Sequence, residues 1–389
     1  MRLRRLHVFG MPDGLDYWDH ARNRQILDRV AEKCYLPTNR ALLDLIRESD
    51  GRFRVAFSIS GVLLEQCLAY RPDVVQSFAE LVATGAVELL DETYYHSLAG
   101  LWPDQTEYKA QILEHRRLME KLFDVAPTTF RNTELIYDDR IARTIEELGY
   151  ASIMTEGTEK ILGWRSPNYL YRPARAAADG RGAALKVLLK NYRLSDDVAF
   201  RFSARDWPEW PLTADKYARW LASSEGACVN LFMDYETFGE HQWKETGVFE
   251  FLRHLPREVA KHDNLDFALP REVAARNEPV GTLEVPWAIS WADTERDVSA
   301  WLHNEMQHHA FETLKDLATV VREADDPDIT HAWRLLQTSD HLYYCCTKWF
   351  GDQDVHTYFS PYDSPYQAFI NYSNVLQDLG RKAMAKARR

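Results

Sequence analysis

The chain has 389 residues, and its 47 Lys+Arg against 59 Asp+Glu give a formal net charge of −12. That balance lacks the clustered surplus cations with which proteins displace counterions from phosphate backbones or adhere to anionic lipid, so nucleic acid and membrane surfaces are excluded as partners. With 46% hydrophobic and 27% charged residues, the composition is that of a folded globular protein with room for one large unit and one smaller.

No apolar run reaches the ~18 to 20 residues of a membrane helix. The basic start, Met1 to Arg5, lacks the apolar core of a secretory leader, which predicts a cytoplasmic protein. Five cysteines, Cys34, Cys67, Cys228, Cys345 and Cys346, form neither an even set nor a C-x-x-C clamp, and read as reduced, mostly buried thiols.

In chain order, residues 14 to 49 read as helix. Ile26, Leu27, Val30 and Cys34 fall at helical spacing, and Pro37-Thr38 restarts a second helix that carries Leu42, Leu43 and Ile46. Six short β-prone runs follow: 55–59, 87–90, 128–131, 151–154, 185–189 and 228–232. Between them lie amphipathic segments such as 106–123, with Tyr108, Ile112, Met119 and Leu122 on one face, and 139–148, closed by Gly149. Strands alternating with helices predict parallel βαβ units. Beyond Asp297 three long helical stretches are expected, at 297–324, 329–347 and 364–385. The last opens with a capping box of Ser364 and Gln367 around Pro365, and the tail from Arg381 reads as a basic frayed end.

Functional groups of parallel α/β folds collect at the C-terminal ends of strands. Glu134 follows the third run and Asp234 the sixth, both set among aromatics. An isolated acid there would simply start a helix. Two such acids suit glycosidic cleavage, in which one carboxylate attacks or stabilises the anomeric carbon and the other protonates the leaving oxygen. Flat indole faces stack on sugar rings, and Trp102, Trp243, Trp287 and Trp291 lie in loop-like sequence near the acids. Phosphate-loop, dinucleotide-binding, nucleophile-elbow and H-E-x-x-H motifs are all missing. In the cluster His303-Asn-Glu305-Met-Gln-His308-His309 consecutive histidines diverge on a helix and no i, i+4 His pair is present, so no metal is expected there, and with those motifs missing no redox cofactor is expected.

Longer segments, Val30 to Asn39, Ser58 to Gln66, Asp91 to Ser97, Phe130 to Tyr137, Phe232 to Gln242, Trp291 to Asp293 continuing through Trp301 to Gln307, and Thr338 to His341, carry a further signal. Together they resemble glycoside hydrolase family 57, in its α-amylase-like branch. The resemblance implies an incomplete (β/α)7 barrel over residues 1–290 and a C-terminal helical domain over 291–389 that completes the cleft. It implies a retaining attack on α-glucans or maltooligosaccharides, with Glu134 as nucleophile and Asp234 as general acid/base. His96, Glu236, His241, Trp291, Asp293, Trp301, Asn304, Gln307, Glu65 and Trp102 are then expected around the sugar. The family's opening strand, which ends in His-Gln-Pro, has no counterpart here, so the first barrel strand is expected to be absent. Three activities follow from these residues: hydrolysis of α-1,4 bonds, 4-α-glucan transfer on the same fold, or glucan binding without catalysis. Retention calls for carboxyls about 5 to 5.5 Å apart.

Overall fold

Five of the six β-prone runs form parallel strands in the computed structural model of the chain, which describes residues 1–174, 185–348, 356 and 360–388. They are β1 (Val55–Ser58), β2 (Val87–Leu90), β3 (Thr129–Arg131), β4 (Ser152–Glu156) and, after a two-residue β5 (Arg172–Pro173), β6 (Lys186–Lys190). β1 pairs with β2, and β3 with β4 and β4 with β6, all in parallel; a single bridge from Asp91 to Phe130 links the two groups. The runs VELL and KVLLK are nearly unbroken apolar sequence because both of their faces are covered. The sixth run forms no strand: Asn230 alone makes a parallel bridge to Lys190. The short β5 pairs with β7 (Thr282–Leu283). The fold is therefore α/β, with parallel sheet and many helices.

The predicted break at Pro37 is absent. Helix His20–Val30 runs through a π-turn, Ala31–Tyr35, directly into helix Leu36–Glu48. Proline has no N–H to give to the preceding turn, and a wider π-turn just before it absorbs the defect without ending the helix. Helices Thr106–Phe123 and Asp139–Glu147 lie where their periodicity placed them.

Towards the C-terminus, the helix expected from 297 begins only at Glu305 and ends at Ala324. The stretch 329–347 divides into Pro327–Leu335 and Asp340–Tyr343. Ser364 accepts from the Gln367 N–H and starts helix Pro365–Ala387. The tail does not fray up to Ala387, because Asp378 pairs with Arg381 and Lys382 and Ala383 is buried; Arg389 lies outside the described residues.

The largest apolar cluster joins Leu3, Tyr17 and Trp18 of the N-terminal segment to strand residues and to this helical layer. Tyr17 donates to Asp378 at 2.8 Å, and the Leu6 N–H to Asn371 at 2.7 Å. Among the described residues, no helix is long and apolar enough to cross a membrane.

Candidate active site

A cavity of about 1390 Å³ runs along the whole of β1, from Val55 to Ser58, and past the C-terminal ends of β2 and β3. Glu92, His96, Arg131, Glu134, Asp234, Glu236 and Trp291 are among its lining residues.

Glu134 sits in a left-handed turn, at φ 56°, with Leu135 at φ 53°. Such backbone is costly for a side-chain-bearing residue and persists only where its surroundings fix it. Asn132 donates to the Ile136 carbonyl at 2.9 Å, Tyr108 donates to Asn132 at 3.1 Å, and Thr155 donates to the Leu135 carbonyl at 3.1 Å. The result turns the Glu134 carboxylate into the cavity.

Three donors meet that carboxylate. His96 Nε2 and Ser339 Oγ both lie 3.2 Å from Oε1, and Trp291 Nε1 donates to Oε2 at 2.8 Å. His96 Nδ1 is 2.9 Å from the buried Glu92, which in turn accepts from Ser58 at 2.8 Å. Burial opposes charge on both partners of the pair. The bond and charge of His96, aided by Arg131 and Trp291, nonetheless bring Glu134 down to about 2. Burial likewise lowers His96, yet its bonds to Glu134 and Glu92 outweigh that and lift it to about 10. The site thus holds an imidazolium between two carboxylates.

Asp234 behaves in the opposite way. Desolvation, followed by the negative charges of Glu236 and Glu134, raises it from 3.8 to about 6, with His241 and Arg131 pulling the other way. Its loop is fixed by the π-turn. Cys34 Sγ donates to the Tyr235 carbonyl at 3.2 Å, Thr38 to the Phe238 carbonyl at 3.2 Å, and Tyr35 to Glu236 Oε1 at 2.5 Å. Tyr35 also stacks on Tyr235. Gly239, at φ 109°, allows the loop to touch this turn, since a Cβ there would lie 2.0 Å from the Lys33 carbonyl.

Distant segments complete the arrangement. Tyr137 and Ile289 exchange backbone bonds of 3.1 and 3.0 Å, which returns the chain so that Trp291 reaches Glu134. The Ser339 N–H donates to the His96 carbonyl at 2.9 Å and brings the helical layer to the same carboxylate.

Of the residues expected near a sugar, the structure gathers His96, Glu134, Asp234, Glu236 and Trp291 in one cavity. His241 is adjacent, its backbone N–H donating to the Glu236 carbonyl at 2.8 Å. The others lie outside the lining. Glu65 accepts from Tyr94 at 2.7 Å, and Trp102 is buried against Trp333 and Phe311. Asp293 pairs with Lys348 and His356, each at 3.2 Å. Trp301 is core. Asn304 and Gln307 form a capping box on helix Glu305–Ala324, and Gln307 also donates to the Ala300 and Leu342 carbonyls. Of the loop tryptophans, Trp243 and Trp287 are exposed. Sequence reasoning missed the roles of Glu92, Arg131, Ser339 and Tyr35. Glu92 and His96 at i, i+4 offered a signal, whereas nothing local marks Ser339 as a neighbour of Glu134.

Comparison with known proteins identifies the family and the fold. Residues 6–286 match the family model described as Glycosyl hydrolase family 57. The chain is 51% identical over 372 residues to the "Putative alpha-amylase" of Methanocaldococcus jannaschii, covering 93% of this chain and 78% of the relative. Its fold is similar to the 4-alpha-glucanotransferase of Thermococcus litoralis, with a TM-score of 0.67, 16% identity, and coverage of 94% of this chain and 57% of that one. It is also similar to the family 57-type branching enzyme of Pyrococcus horikoshii, with a TM-score of 0.64, 15% identity, and coverage of 94% and 84%. The chain thus spans little more than half the length of the glucanotransferase.

Proposed function

The chain belongs to glycosyl hydrolase family 57, and on that premise we propose that it is a retaining α-glucan hydrolase that cleaves α-1,4-glucosidic bonds by double displacement. One observation carries the reading. Glu134 and Asp234 line one cavity, where three donors meet the Glu134 carboxylate, while the loss of solvent and the charges of Glu236 and Glu134 raise Asp234 to about 6. Glu134 attacks the anomeric carbon and forms a glycosyl ester, as Asp234 gives its proton to the departing glycosidic oxygen. Asp234, now a carboxylate, removes a proton from water, and the hydroxide oxygen displaces Glu134 with a second inversion. The names of the similar proteins, "Putative alpha-amylase" and 4-alpha-glucanotransferase, support an α-glucan or maltooligosaccharide as the substrate.

In the same reading, β1 to β4, β6 and the segment bridged at Asn230 form the incomplete barrel, with the cavity lying between β1 and that segment. Residues 1–290 then supply the catalytic unit, and 291–389 the helical part that closes the cleft through Ser339.

Reducing-end release from soluble starch, with the anomer of the first product followed by polarimetry, tests the proposal. Retention yields the α-anomer, and Glu134→Gln and Asp234→Asn each abolish turnover. A β-anomer would sink double displacement. Longer products from maltoheptaose would assign transfer instead, and calorimetric binding without turnover would assign a non-catalytic glucan-binding role.

A further inference from the structure

Lys190 ends β6 as a buried cation outside the cavity lining. A solvated lysine would need no explanation, but this one occupies a strand position that an apolar side chain would fill without desolvation cost. Its ammonium lies 3.2 Å from Asp196 and 3.5 Å from Glu156 Oε2. Arg296 meets the same two acids, at 3.0 and 3.4 Å, and donates to the Trp291 carbonyl. Two cations and two carboxylates therefore form a closed, charge-balanced set. Glu156 Oε2 is buried with no hydrogen-bond partner and faces these two cations, while its Oε1 accepts from the Gly157 N–H at 2.8 Å.

The set touches the active site at one place. Lys190 Nζ lies over the Trp291 ring, 5.2 Å from its centroid, and Arg131 lies over it at 4.9 Å. A cation held over an indole face by buried acids attracts the ring quadrupole and resists its rotation. Rotation matters, because the indole N–H is one of the three donors on Glu134.

We propose that Lys190 is a positioning residue for Trp291: fixed by Glu156 and Asp196, it clamps the ring so that the indole N–H stays on Glu134 Oε2. The inference rests on the reading of Glu134 as nucleophile. Lys190 touches neither the sugar nor the reacting carbon, and acts through the orientation of the indole alone.

The test removes one charge of each sign, in the pair Lys190→Met with Glu156→Gln, and leaves Arg296 on Asp196. The full chain is prepared with isotope-labelled tryptophan, and the Trp291 indole N–H resonance is identified by its loss in Trp291→Phe. In the pair variant this resonance moves upfield towards a free indole, and kcat on maltoheptaose falls ~10-fold with KM little changed. In a Trp291→Phe background the same pair costs no further kcat, because the two act in series. Lys190→Arg keeps both the resonance and kcat. An unmoved resonance, or losses that multiply in the Trp291→Phe background, would overturn the assignment. Should the methionine pair fail to fold, Glu156→Gln with Lys190→Gln, which can hydrogen-bond to each other, gives the same two readings. An inactive parent defeats the proposed function, while the resonance still decides the role of Lys190.

Discussion

His96 donates through Nε2 to Glu134 Oε1 at 3.2 Å and joins a residue after β2 to one after β3. The imidazolium lies between Glu134 and Glu92, so its charge is compensated whether or not a sugar is present. A hydrogen bond between charged groups is worth about 1.5 to 3 kcal/mol, or roughly 10- to 100-fold in rate if it serves the nucleophile. His96→Gln should lower kcat/KM by about that factor and raise the acidic limb of its pH profile, because Glu134 loses the largest influence that holds it near 2. An unchanged limb in steady-state kinetics would count against the pairing.

The two carboxyls set a pH window. Glu134 is ionised above about 2, and Asp234 is protonated below about 6. kcat/KM, which reports the free enzyme, should decline as pH rises through about 6. After desolvation within the cavity, the charge of Glu236 is the next cause of the raised Asp234 value. Glu236→Gln should therefore move the alkaline limb to lower pH, while its amide oxygen still accepts from Tyr35.

The raised Asp234 has a cost in stability. A carboxyl whose folded pKa lies above its unfolded value contributes stability below the unfolded value, 3.8 here, and that contribution is lost as pH rises through about 6. A neutral Asp234→Asn should accordingly be more stable than the parent at pH 7 and no more stable at pH 3. The carboxyl is open to the cavity, so screening reduces the gain to about 1 kcal/mol or less. Urea unfolding at the two pH values measures it.

Gly239→Ala combines strain with collision. The left-handed backbone disfavours any side chain, and the added Cβ would lie 2.0 Å from the carbonyl of Lys33. A loss of about 3 kcal/mol or more is expected from thermal unfolding, with kcat falling because the Asp234 loop can no longer seat on the π-turn.

Asn304→Ala separates a cap from a sugar contact. Asn304 accepts from the Gln307 N–H and donates to the Cys345 carbonyl at 2.9 Å. Its loss should cost about 1 to 2 kcal/mol of stability and leave KM for maltoheptaose unchanged. A raised KM at full stability would return Asn304 to the substrate.

Local sequence made much of this protein legible. Runs such as VELL and KVLLK are apolar enough to be covered on both faces, and the amphipathic repeat of 106–123 sets a helix of that length. Glu134 and Asp234 stood out because strand ends collect functional groups, and their family segments strengthened the choice. The same patterns misled where a long-range partner decides the outcome. Pro37 reads as a break, but the π-turn before it is retained by contacts with a loop some 200 positions away, through Tyr35 to Glu236 and Thr38 to Phe238. The run 228–232 has strand composition, yet it bridges β6 only through Asn230. Asn304 and Gln307 belong to a family segment, and their local geometry made them a helix cap.

The sequence by itself determined the α/β class and the family and pointed to Glu134 and Asp234 as candidate acids, because apolar periodicity and motif residues are local properties of the chain. Only the tertiary structure decided the protonation of those acids. A carboxyl's charge is set by what surrounds it, and Glu134 is kept ionised by His96, Trp291 and Ser339, brought from 38, 157 and 205 positions away.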